Sequence, residues 1–392
     1  MFKILKLNQI AATGLEVFPK DRYEIASEFS QPDAILVRSA TIGADKLPET
    51  VRAIARAGAG VNNIPVAVCT ERGIPVFNTP GANANAVKEL VMAALVLSAR
   101  GVVQGANFVN TLGHLTDHAT MSKAVEDGKK QFVGGELAGK TLGIVGLGKI
   151  GALVANLGVD LGMQVMGFDP SLSVDAAWQI SNLTQRIENL PTLLSRADYI
   201  SLHVPYNEAT KNLIGQNTIK FLKPGAKLLN FSRGEIVDCN ALIDALNTGK
   251  LSRYVTDFPC PHLFGRPDVI MLPHIGASTE EAEETCAIMA ARQLVNFLEN
   301  GNIVNSVNFP ALSLEKTSKN RIAIANKNIP KMLGRITSLL ADSNINVNEM
   351  LNKSRDDVAY NLIDLDTSPS DALLAALRGI EGVINVRVVY AE

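Results

Sequence analysis

The residues that point most clearly to chemistry are three glycines, Gly146, Gly148 and Gly151, which have the spacing G-x-G-x-x-G. They follow a short apolar run at 141–145 and precede a stretch of helical character. In such a turn, the first glycine permits a tight bend, the second lets the backbone approach a pyrophosphate, and the third lets helix and strand pack closely. The pattern predicts a dinucleotide-binding unit with phosphates at the helix N-terminus, against the alternative of an ordinary glycine-rich turn.

An acidic residue extends this pattern. Asp169 closes a second apolar run at 165–168 and lies 18 residues after Gly151. A carboxylate near this spacing accepts hydrogen bonds from the adenosine ribose and repels a 2′-phosphate. The sequence therefore predicts NAD, rather than NADP, as the cofactor.

Polar side chains follow several other predicted strands of the same segment, at 199–202, 226–230, 254–256 and 269–272. Oxidation of an alcohol needs a base for the hydroxyl proton and a cation for a substrate carboxylate. We expect His274 to be the base and the planar fork of Arg233 to bind the carboxylate. Asp257 is predicted to accept from the nicotinamide carboxamide, and His203 to contact the cofactor or to be structural. Each alone could be a core histidine, a surface charge or a helix cap, but together they indicate a site at one sheet edge.

A second group of candidate residues lies near the N-terminus. A strand at 34–37 ends at Arg38, and a helix predicted at 51–57 leads into a loop of small residues at 57–63. We expect the backbone N–H groups of Ala59 and Gly60 to bind the substrate carboxylate. Arg38 is positioned to bind a second anionic group, such as a phosphate.

The alternation of strands and helices predicts an α/β fold with parallel sheets. We expect a Rossmann-type nucleotide-binding domain at 91–275 and a discontinuous, flavodoxin-like substrate-binding domain at 1–90 and 276–305. A linker at 306–319 leads to a tail at 320–392, whose order strand, helix, strand, strand, helix, strand is typical of a ferredoxin-like α+β domain.

Composition narrows the class of protein. The chain has 392 residues, 47% apolar and 19% charged, and a net charge of −2, as in a soluble globular protein. No basic block indicates nucleic acid or an anionic membrane as a partner. No signal peptide or membrane-spanning run is visible, so we expect a cytoplasmic protein. The four cysteines fit no metal spacing, which predicts no metal site, and Cys69 and Cys286 look like core residues.

These motifs resemble the D-3-phosphoglycerate dehydrogenase family, a branch of the D-isomer-specific 2-hydroxyacid dehydrogenases with a C-terminal ACT domain. The resemblance spans nearly the whole chain and rests on ILVRSA (35–40), ARAGAGVNNIP (55–65), FNTPGANANAVKEL (77–90), LGIVGLGKIG (142–151), SLHVP (201–205), NFSRGEIVD (230–238), VTDFP (255–259) and PHIGAST (273–279).

The resemblance implies NAD-dependent oxidation of 3-phosphoglycerate to 3-phosphohydroxypyruvate, the entry to serine biosynthesis. The long helices near the crossover suggest at least a dimer, and we expect a homodimer or homotetramer. It makes Arg233 and His274 the catalytic residues. The substrate side would comprise Arg38, Ser39, Ala59, Gly60 and Asn62. The cofactor would be lined by Gly146, Gly148, Lys149, Ile150, Gly151, Asp169, His203, Val204, Pro205, Ser232, Asp257 and Gly276.

The chain departs from the family pattern at one catalytic position. The glutamate that would orient the histidine is expected about five residues after Asp257, and His262 stands there instead. We leave the glutamate's role unfilled, because Glu235 or another acid could also take it.

The tail carries a weaker resemblance. Asn326, Asn328 and Asn346 resemble residues that bind an amino-acid effector, which would be L-serine. Asn326 stands where a histidine is frequent, and Lys331 where a glycine is usual. The alternative for this tail is a role in assembly alone.

Two other functions remain open at this point. One is a D-2-hydroxyacid dehydrogenase acting on hydroxypyruvate, glyoxylate or D-lactate, against which Arg38 and the tail argue. The other is a non-catalytic NAD-sensing protein on the same fold, an alternative that the missing glutamate keeps open.

Overall fold

A computed structural model describes residues 1–390 of the chain, apart from the side chain at position 175. In chain order, the strands are β1 (Phe2–Leu7), β2 (Tyr23–Ala26), β3 (Ala34–Val37), β4 (Ala53–Arg56), β5 (Val76–Phe77), β6 (Thr141–Val145), β7 (Gln164–Phe168), β8 (Gln185–Arg186), β9 (Tyr199–Leu202), β10 (Ala226–Asn230), β11 (Leu251–Thr256), β12 (Val269–Met271), β13 (Asn320–Lys327), β14 (Val347–Arg355), β15 (Val358–Leu365) and β16 (Val383–Tyr390).

The α-helices are α1 (Ala12–Leu15), α2 (Val66–Glu71), α3 (Ala84–Ala99), α4 (Val102–Thr111), α5 (His118–Gly128), α6 (Lys149–Asp160), α7 (Val174–Ala177), α8 (Leu190–Arg196), α9 (Gln216–Ile219), α10 (Cys239–Asn247), α11 (Glu280–Asn300), α12 (Met332–Asp342) and α13 (Asp371–Arg378). The chain divides into two compact units, one of residues 1–83 with residues from 280 on, and one of residues 84–279.

The unit of residues 84–279 is built on a seven-stranded sheet in the order β8-β7-β6-β9-β10-β11-β12. Its neighbouring strands are all parallel, and Val145 pairs with both Phe168 and Leu202. The strand order reverses between β6 and β9, which is where doubly wound sheets bind dinucleotides. The predicted Rossmann-type domain is therefore confirmed, with its switch point at the glycine turn.

The other unit contains a five-stranded parallel sheet in the flavodoxin-like order β2-β1-β3-β4-β5. The helix predicted over 51–57 is wrong, because residues Ala53–Arg56 form the strand β4 between β3 and β5. Its residues Ala53, Ile54 and Ala55 are completely buried. Burial on both faces of a parallel sheet outweighs the helix preference of an alanine-rich segment.

The same unit contains an antiparallel sheet in the order β14-β15-β13-β16, with α12 and α13 packed against it. Alternate residues of β13 face opposite sides, as the period of a strand requires. Ile322 and Ile324 pack in one core with the helices, whereas Ala323 and Ala325 pack in another with Phe297. The order of elements confirms the predicted ferredoxin-like fold.

The C-terminal end of α11 is held by side chains from this antiparallel sheet. Arg387 donates to the carbonyls of Phe297 and Leu298 at 2.9 and 3.4 Å, and its guanidinium lies 4.2 Å from the Phe297 ring centroid. Arg321 donates to the Asn300 carbonyl at 3.1 Å. Cations at a helix C-terminus satisfy carbonyls that have no partner within the helix and stabilise its dipole.

The predicted linker is packed into the core. Phe309, Leu312 and Leu314 are at most 7% exposed and belong to the cluster that contains the α11 residues. The division into three domains at the predicted boundaries stays a prediction. Within residues 1–390, no helix combines the length and the apolar character that a membrane span needs.

Candidate active site

The predicted glycine turn follows β6 directly. Gly146 has φ +90°, which side chains rarely adopt, and its N–H donates to the Phe168 carbonyl at 2.9 Å. A Cβ on Gly151 would lie 1.9 Å from the Gly146 carbonyl oxygen, so only glycine fits there. By contrast, no described atom lies within 4 Å of the place where a Cβ on Gly148 would stand. The turn therefore packs tightly against the protein at Gly151 and has free space beside Gly148.

The N-terminus of α6 is available to an anion. Gly148 precedes the helix and offers no side-chain cap, and Lys149 and Ile150 are its first residues. The backbone N–H groups of such an uncapped first turn bind phosphate oxygens. The geometry therefore fits the pyrophosphate of a dinucleotide.

Asp169 follows β7 and lies beside this turn. Its Oδ2 accepts from the Leu147 N–H at 2.8 Å, and its Oδ1 accepts from the Ser171 N–H at 2.8 Å. These bonds fix the carboxylate next to the glycine turn, and each oxygen keeps a lone pair for a further donor. The position suits a ribose diol.

The ends of β9 and β10 meet beside the turn. Ser232 donates its hydroxyl to the Val204 carbonyl, and the Pro205 carbonyl accepts from Thr210 at 2.6 Å. Burial lowers the pKa of His203 to about 3, so this ring is neutral at physiological pH. A nitrogen of the His203 ring lies 2.8 Å from Ser201 Oγ. These contacts place His203 as a neutral, positioned ring at the sheet edge rather than as a proton carrier.

Asp257, directly after β11, is the most unusual group of the site. It is 1% exposed, and burial raises its pKa above the ordinary range. Its Oδ2 accepts from the Gly276 N–H at 2.9 Å, whereas its buried Oδ1 has no hydrogen-bond partner among the described residues. A buried acceptor without a donor fits a ligand N–H group, such as that of a carboxamide.

His274 is tied to Asp257 through the backbone. Its N–H donates to the carbonyls of Asp257 at 2.9 Å and Leu272 at 3.1 Å, and its φ of +51° lies in the left-handed region. The ring is exposed and packs on Phe258, with 4.8 Å between the centroids. Non-glycine residues in this region are uncommon and cluster at functional sites.

Arg233 lies at the end of β10, and its exposed guanidinium donates to the Ser232 carbonyl at 2.6 Å. The positive charges of His274 and Arg233 both lower the pKa of Asp257 and so oppose the larger effect of its burial. Asp257 thus lies close enough to both groups to interact with their charges. The structure brings the predicted base and the predicted carboxylate ligand to one strand-end cluster.

Within the part of the chain that the structure describes, no side-chain acid bonds to this histidine. Among the described residues, no carboxylate hydrogen-bonds the His274 ring, and neither His262 nor Glu235 does so. His262 is exposed and lies on the 3-10 turn Pro261–Leu263. Asp257 is the carboxylate whose interaction with His274 the structure describes.

The predicted substrate residues lie in the other unit, after β3 and β4. Arg38 forms an ion pair with Glu283 of α11, and each side chain is 40% exposed. Ser39, Ala59 and Asn62 are exposed, and Gly60 is half-buried. These residues occupy the carboxyl edge of the parallel sheet, where such sheets bind ligands.

Sequence reasoning missed the side chains that hold these loops. Arg56 donates to the carbonyls of Arg38 at 2.9 Å and Gly60 at 2.7 Å, and Asn63 donates to the Ala40 carbonyl at 2.7 Å. Arg56 and Asn63 both lie within the motif ARAGAGVNNIP, so the family resemblance could have pointed to them. Glu283 was also missed, because its partner lies 245 residues away.

The three predicted effector residues do not meet within one chain. Asn326 is 2% exposed, accepts from Asn361 at 2.7 Å and lies opposite Ala359 in the sheet. Asn328 donates to the Asp356 carbonyl at the same end of the sheet, at 3.0 Å. Asn346 instead pairs with Asp366, beyond the other end of β15. A strand of this length places the two ends about 20 Å apart.

No group of three or more His, Cys, Asp or Glu side chains within residues 1–390 is arranged to hold a metal ion. The arrangement of groups at the sheet edge is instead one that holds a dinucleotide and moves a proton.

Comparison with known proteins assigns the family. The NAD-binding domain of the D-isomer specific 2-hydroxyacid dehydrogenases matches residues 108–276. The D-3-phosphoglycerate dehydrogenase of Escherichia coli K12 is 34% identical over 344 residues, 84% of this chain and 80% of that protein. That of Haemophilus influenzae is 35% identical over 343 residues, 84% and 79% of the two chains. The crystal structure of NAD+-bound 3-phosphoglycerate dehydrogenase from Entamoeba histolytica, 28% identical, matches 79% of this chain and 99% of that one with a TM-score of 0.62. The chain therefore belongs to the D-isomer-specific 2-hydroxyacid dehydrogenase family, among its NAD-dependent D-3-phosphoglycerate dehydrogenase members.

Proposed function

We propose that the protein oxidises 3-phospho-D-glycerate to 3-phosphohydroxypyruvate, the first step of serine biosynthesis by the phosphorylated route, and that it does so in the cytoplasm. The observation that carries this proposal is the placement of His274 and Arg233 at strand ends of one sheet, where the backbone of His274 bonds to Asp257 and both positive charges act on its buried carboxylate. A proton acceptor and a planar cation at one strand-end cluster are what oxidation of a hydroxy acid requires.

In the proposed reaction, Arg233 binds the substrate carboxylate through its guanidinium fork and orients the adjacent hydroxyl towards His274. The imidazole of His274 accepts the hydroxyl proton as the carbon loses a hydride. The Asp257 carboxylate stabilises the imidazolium that forms, because the two charges are of opposite sign. Arg38 binds the phosphate of the substrate.

Several residues fit the cofactor. The open side of Gly148 and the uncapped α6 receive the pyrophosphate, Asp169 binds the ribose, and the partnerless Oδ1 of Asp257 accepts from the carboxamide. When bound, NAD supplies the nicotinamide ring that accepts the hydride.

The direct test is NADH formation by the purified protein with 3-phospho-D-glycerate and NAD. D-glycerate and D-lactate serve as controls. Turnover confined to the phosphorylated acid is expected. Faster turnover of lactate would move the assignment to another D-2-hydroxyacid dehydrogenase. NAD binding without turnover of any of these substrates, in either direction, would contradict the proposal and make the protein a non-catalytic NAD sensor.

Cofactor choice should depend on Asp169. Asp169→Asn removes the charge that repels a 2′-phosphate and weakens the bonds to the ribose, so we expect the KM for NAD to rise roughly tenfold to a hundredfold. The ratio of kcat/KM for NADP to that for NAD should rise as well. The measurement is initial rates with each cofactor, with Asp160→Asn, at the exposed end of α6, as the control. An unchanged ratio would mean that Asp169 serves only to hold Leu147 and Ser171.

Glu283 should set the affinity for the phosphorylated substrate. Its carboxylate pairs with Arg38 and competes with a phosphate for the same guanidinium. Because the pair is part-exposed and worth ~1 kcal/mol, Glu283→Gln should lower the KM for 3-phosphoglycerate by roughly fivefold and leave kcat unchanged. Glu284→Gln, one residue along and exposed, is the control. An equal change in the KM for D-glycerate would show that Arg38 does not bind the phosphate.

We propose that the C-terminal ACT-like domain serves assembly into a homodimer or homotetramer and that L-serine is a candidate effector. Mass measurement in solution tests the assembly, and the NADH assay with and without L-serine tests the effector. Because Asn326 and Asn346 lie at opposite ends of the sheet, a serine site that uses both would need two chains.

A further inference from the structure

Cys239 and Cys260 are joined by a disulfide bond, although they are 21 positions apart in the sequence. Cys239 is the first residue of α10 and follows the short loop that begins at Arg233. Cys260 lies in the loop that begins at Asp257, just before the 3-10 turn that carries His262. The bond therefore joins the two loops that hold the predicted carboxylate ligand and the carboxamide acceptor.

The paired cysteines differ from the other two in accessibility. Cys69 and Cys286 are free thiols, 0% and 7% exposed. Burial raises the pKa of Cys69 to about 11 and also raises the pKa of Cys286, so both stay protonated and unreactive. Cys239 and Cys260 are half-buried and therefore more exposed than the two free cysteines. Exposed disulfides undergo thiol–disulfide exchange more readily than buried ones, and regulatory disulfides belong to this class.

The loop that Cys260 anchors also positions the base. Phe258, two residues earlier, packs its ring on that of His274 at 4.8 Å. On its other side, the Phe258 Cβ lies 3.4 Å from where a Cβ on Gly234 would stand. Phe258 thus lies beside both His274 and Gly234, the residue that follows Arg233, and it stands two residues before the disulfide-bonded Cys260.

Reduction of the bond would leave the fold in place. The segment between the two cysteines contains α10 and β11, and its residues Ala241, Leu242, Leu251 and Val255 are at most 1% exposed. The strand β11 pairs on both edges, with β10 and β12. The core contacts and the ladder do not depend on the bond, so the freedom gained on reduction falls on the loop that holds Phe258.

We propose that Cys239 and Cys260 form a reversible redox modification site that regulates the enzyme: the disulfide holds Phe258 against His274, and reduction by a dithiol releases the loop and lowers turnover. In the reduction, the Cys239–Cys260 sulfur–sulfur bond breaks and a bond forms between the two sulfurs of the dithiol. Two electrons pass to the protein, and the two protons of the dithiol end on the cysteine sulfurs. A low-molecular-weight disulfide reverses the reaction by accepting two electrons.

The first test follows the thiols and needs no activity. The native protein is equilibrated in mixtures of reduced and oxidised dithiothreitol, alkylated, digested without reduction and weighed by mass spectrometry. A peptide pair linked through Cys239 and Cys260 should disappear in one two-electron transition, while Cys69 and Cys286 stay unmodified. Thiols at Cys239 and Cys260 that never pair under oxidation, or a bond that opens only when the protein unfolds, would overturn the proposal.

The second test asks what the bond does, and this arm rests on the proposed function. Reduction should lower kcat by roughly threefold to tenfold, the scale of a small misplacement of a catalytic group, and oxidised glutathione should restore it. Cys260→Ser should have the kcat of the reduced enzyme and ignore redox conditions, whereas Cys69→Ala should respond as the original chain does. Hydrogen exchange at 257–264 should speed up on reduction, while that at 226–230 stays slow.

The two arms separate the possible failures. A linked, reducible pair with identical kcat and identical hydrogen exchange in both states would overturn the regulatory role. If the protein oxidises none of the hydroxy acids, the proposed reaction fails. The alkylation and hydrogen-exchange measurements still show whether the disulfide is reversible and whether it restrains the loop at 257–264.

Discussion

Replacement of His274 by asparagine is expected to lower kcat by about two to four orders of magnitude, the range that a positioned proton acceptor contributes. Asparagine is the suitable substitute because it tolerates the left-handed backbone that His274 adopts at φ +51°, whereas most other residues would add strain. The substitution removes the imidazole while the N–H bonds to Asp257 and Leu272 can persist. The KM for NAD should change little, because His274 is not expected to bind the cofactor.

The matched control is His262→Asn, at the position where relatives would carry the orienting glutamate. His262 is exposed and makes no hydrogen bond to His274 within the described part of the chain, so kcat should stay within about twofold of the original value. The two variants are compared by steady-state rates across pH. If His274→Asn kept more than about a tenth of kcat, another group would be the base; a large loss in His262→Asn would give that residue the glutamate's role.

The second large effect concerns stability. Arg321 is completely buried, and its guanidinium binds Asp364 in a two-pronged ion pair, with 2.7 Å between Nη2 and Oδ2. It also donates to the carbonyls of Leu314 and Glu315, at 2.9 and 2.6 Å. Arg321→Met would remove both guanidinium donors from the fully buried Asp364, which would keep the Thr317 hydroxyl as its side-chain donor among the described residues. We expect a loss of about 3–5 kcal/mol in the free energy of unfolding of this unit.

Hydrogen exchange measured by mass spectrometry suits this prediction, because a chain of two units need not unfold in one step. Amides of β13 and β15 should exchange much faster in the variant, and those of β6 and β10 should not. Arg355→Met is the control, since Arg355 is 45% exposed and pairs with the exposed Asp356. A loss below about 1 kcal/mol would mean that the buried carboxylate finds another partner or becomes protonated.

The nucleotide-binding unit was predictable because its signals are local. The runs 141–145, 199–202 and 226–230 have the same bounds in the structure as in the prediction. Each is a mainly apolar run that ends at, or is followed by, a polar or glycine residue, and the parallel topology brings those ends to one edge. The meeting of Arg233, Asp257 and His274 follows from this rule, without knowledge of any side-chain contact.

The structural features that the sequence did not predict depend on contacts between residues that are far apart in the chain. The strand at 53–56 reads as a helix because alanine and arginine favour one, and only its neighbours β3 and β5 make it a strand. The pairs Arg38–Glu283 and Cys239–Cys260 join segments whose separation carries no periodic signal. The distance between Asn326 and Asn346 depends on the strand register, which residue spacing does not reveal.

Arg321 and Arg387 donate hydrogen bonds to the last carbonyls of α11, and these bonds matter for any truncation or fusion of the protein. Truncation of the chain at the predicted linker, 306–319, would do more than remove the C-terminal domain. It would uncover Phe297 and remove the arginine donors from the last carbonyls of α11, the helix that carries Glu283 in its first turn. A truncated variant would therefore need other donors for the C-terminal end of α11. A fusion that carries the C-terminal domain would need a helix whose end offers Arg321 and Arg387 the same carbonyls.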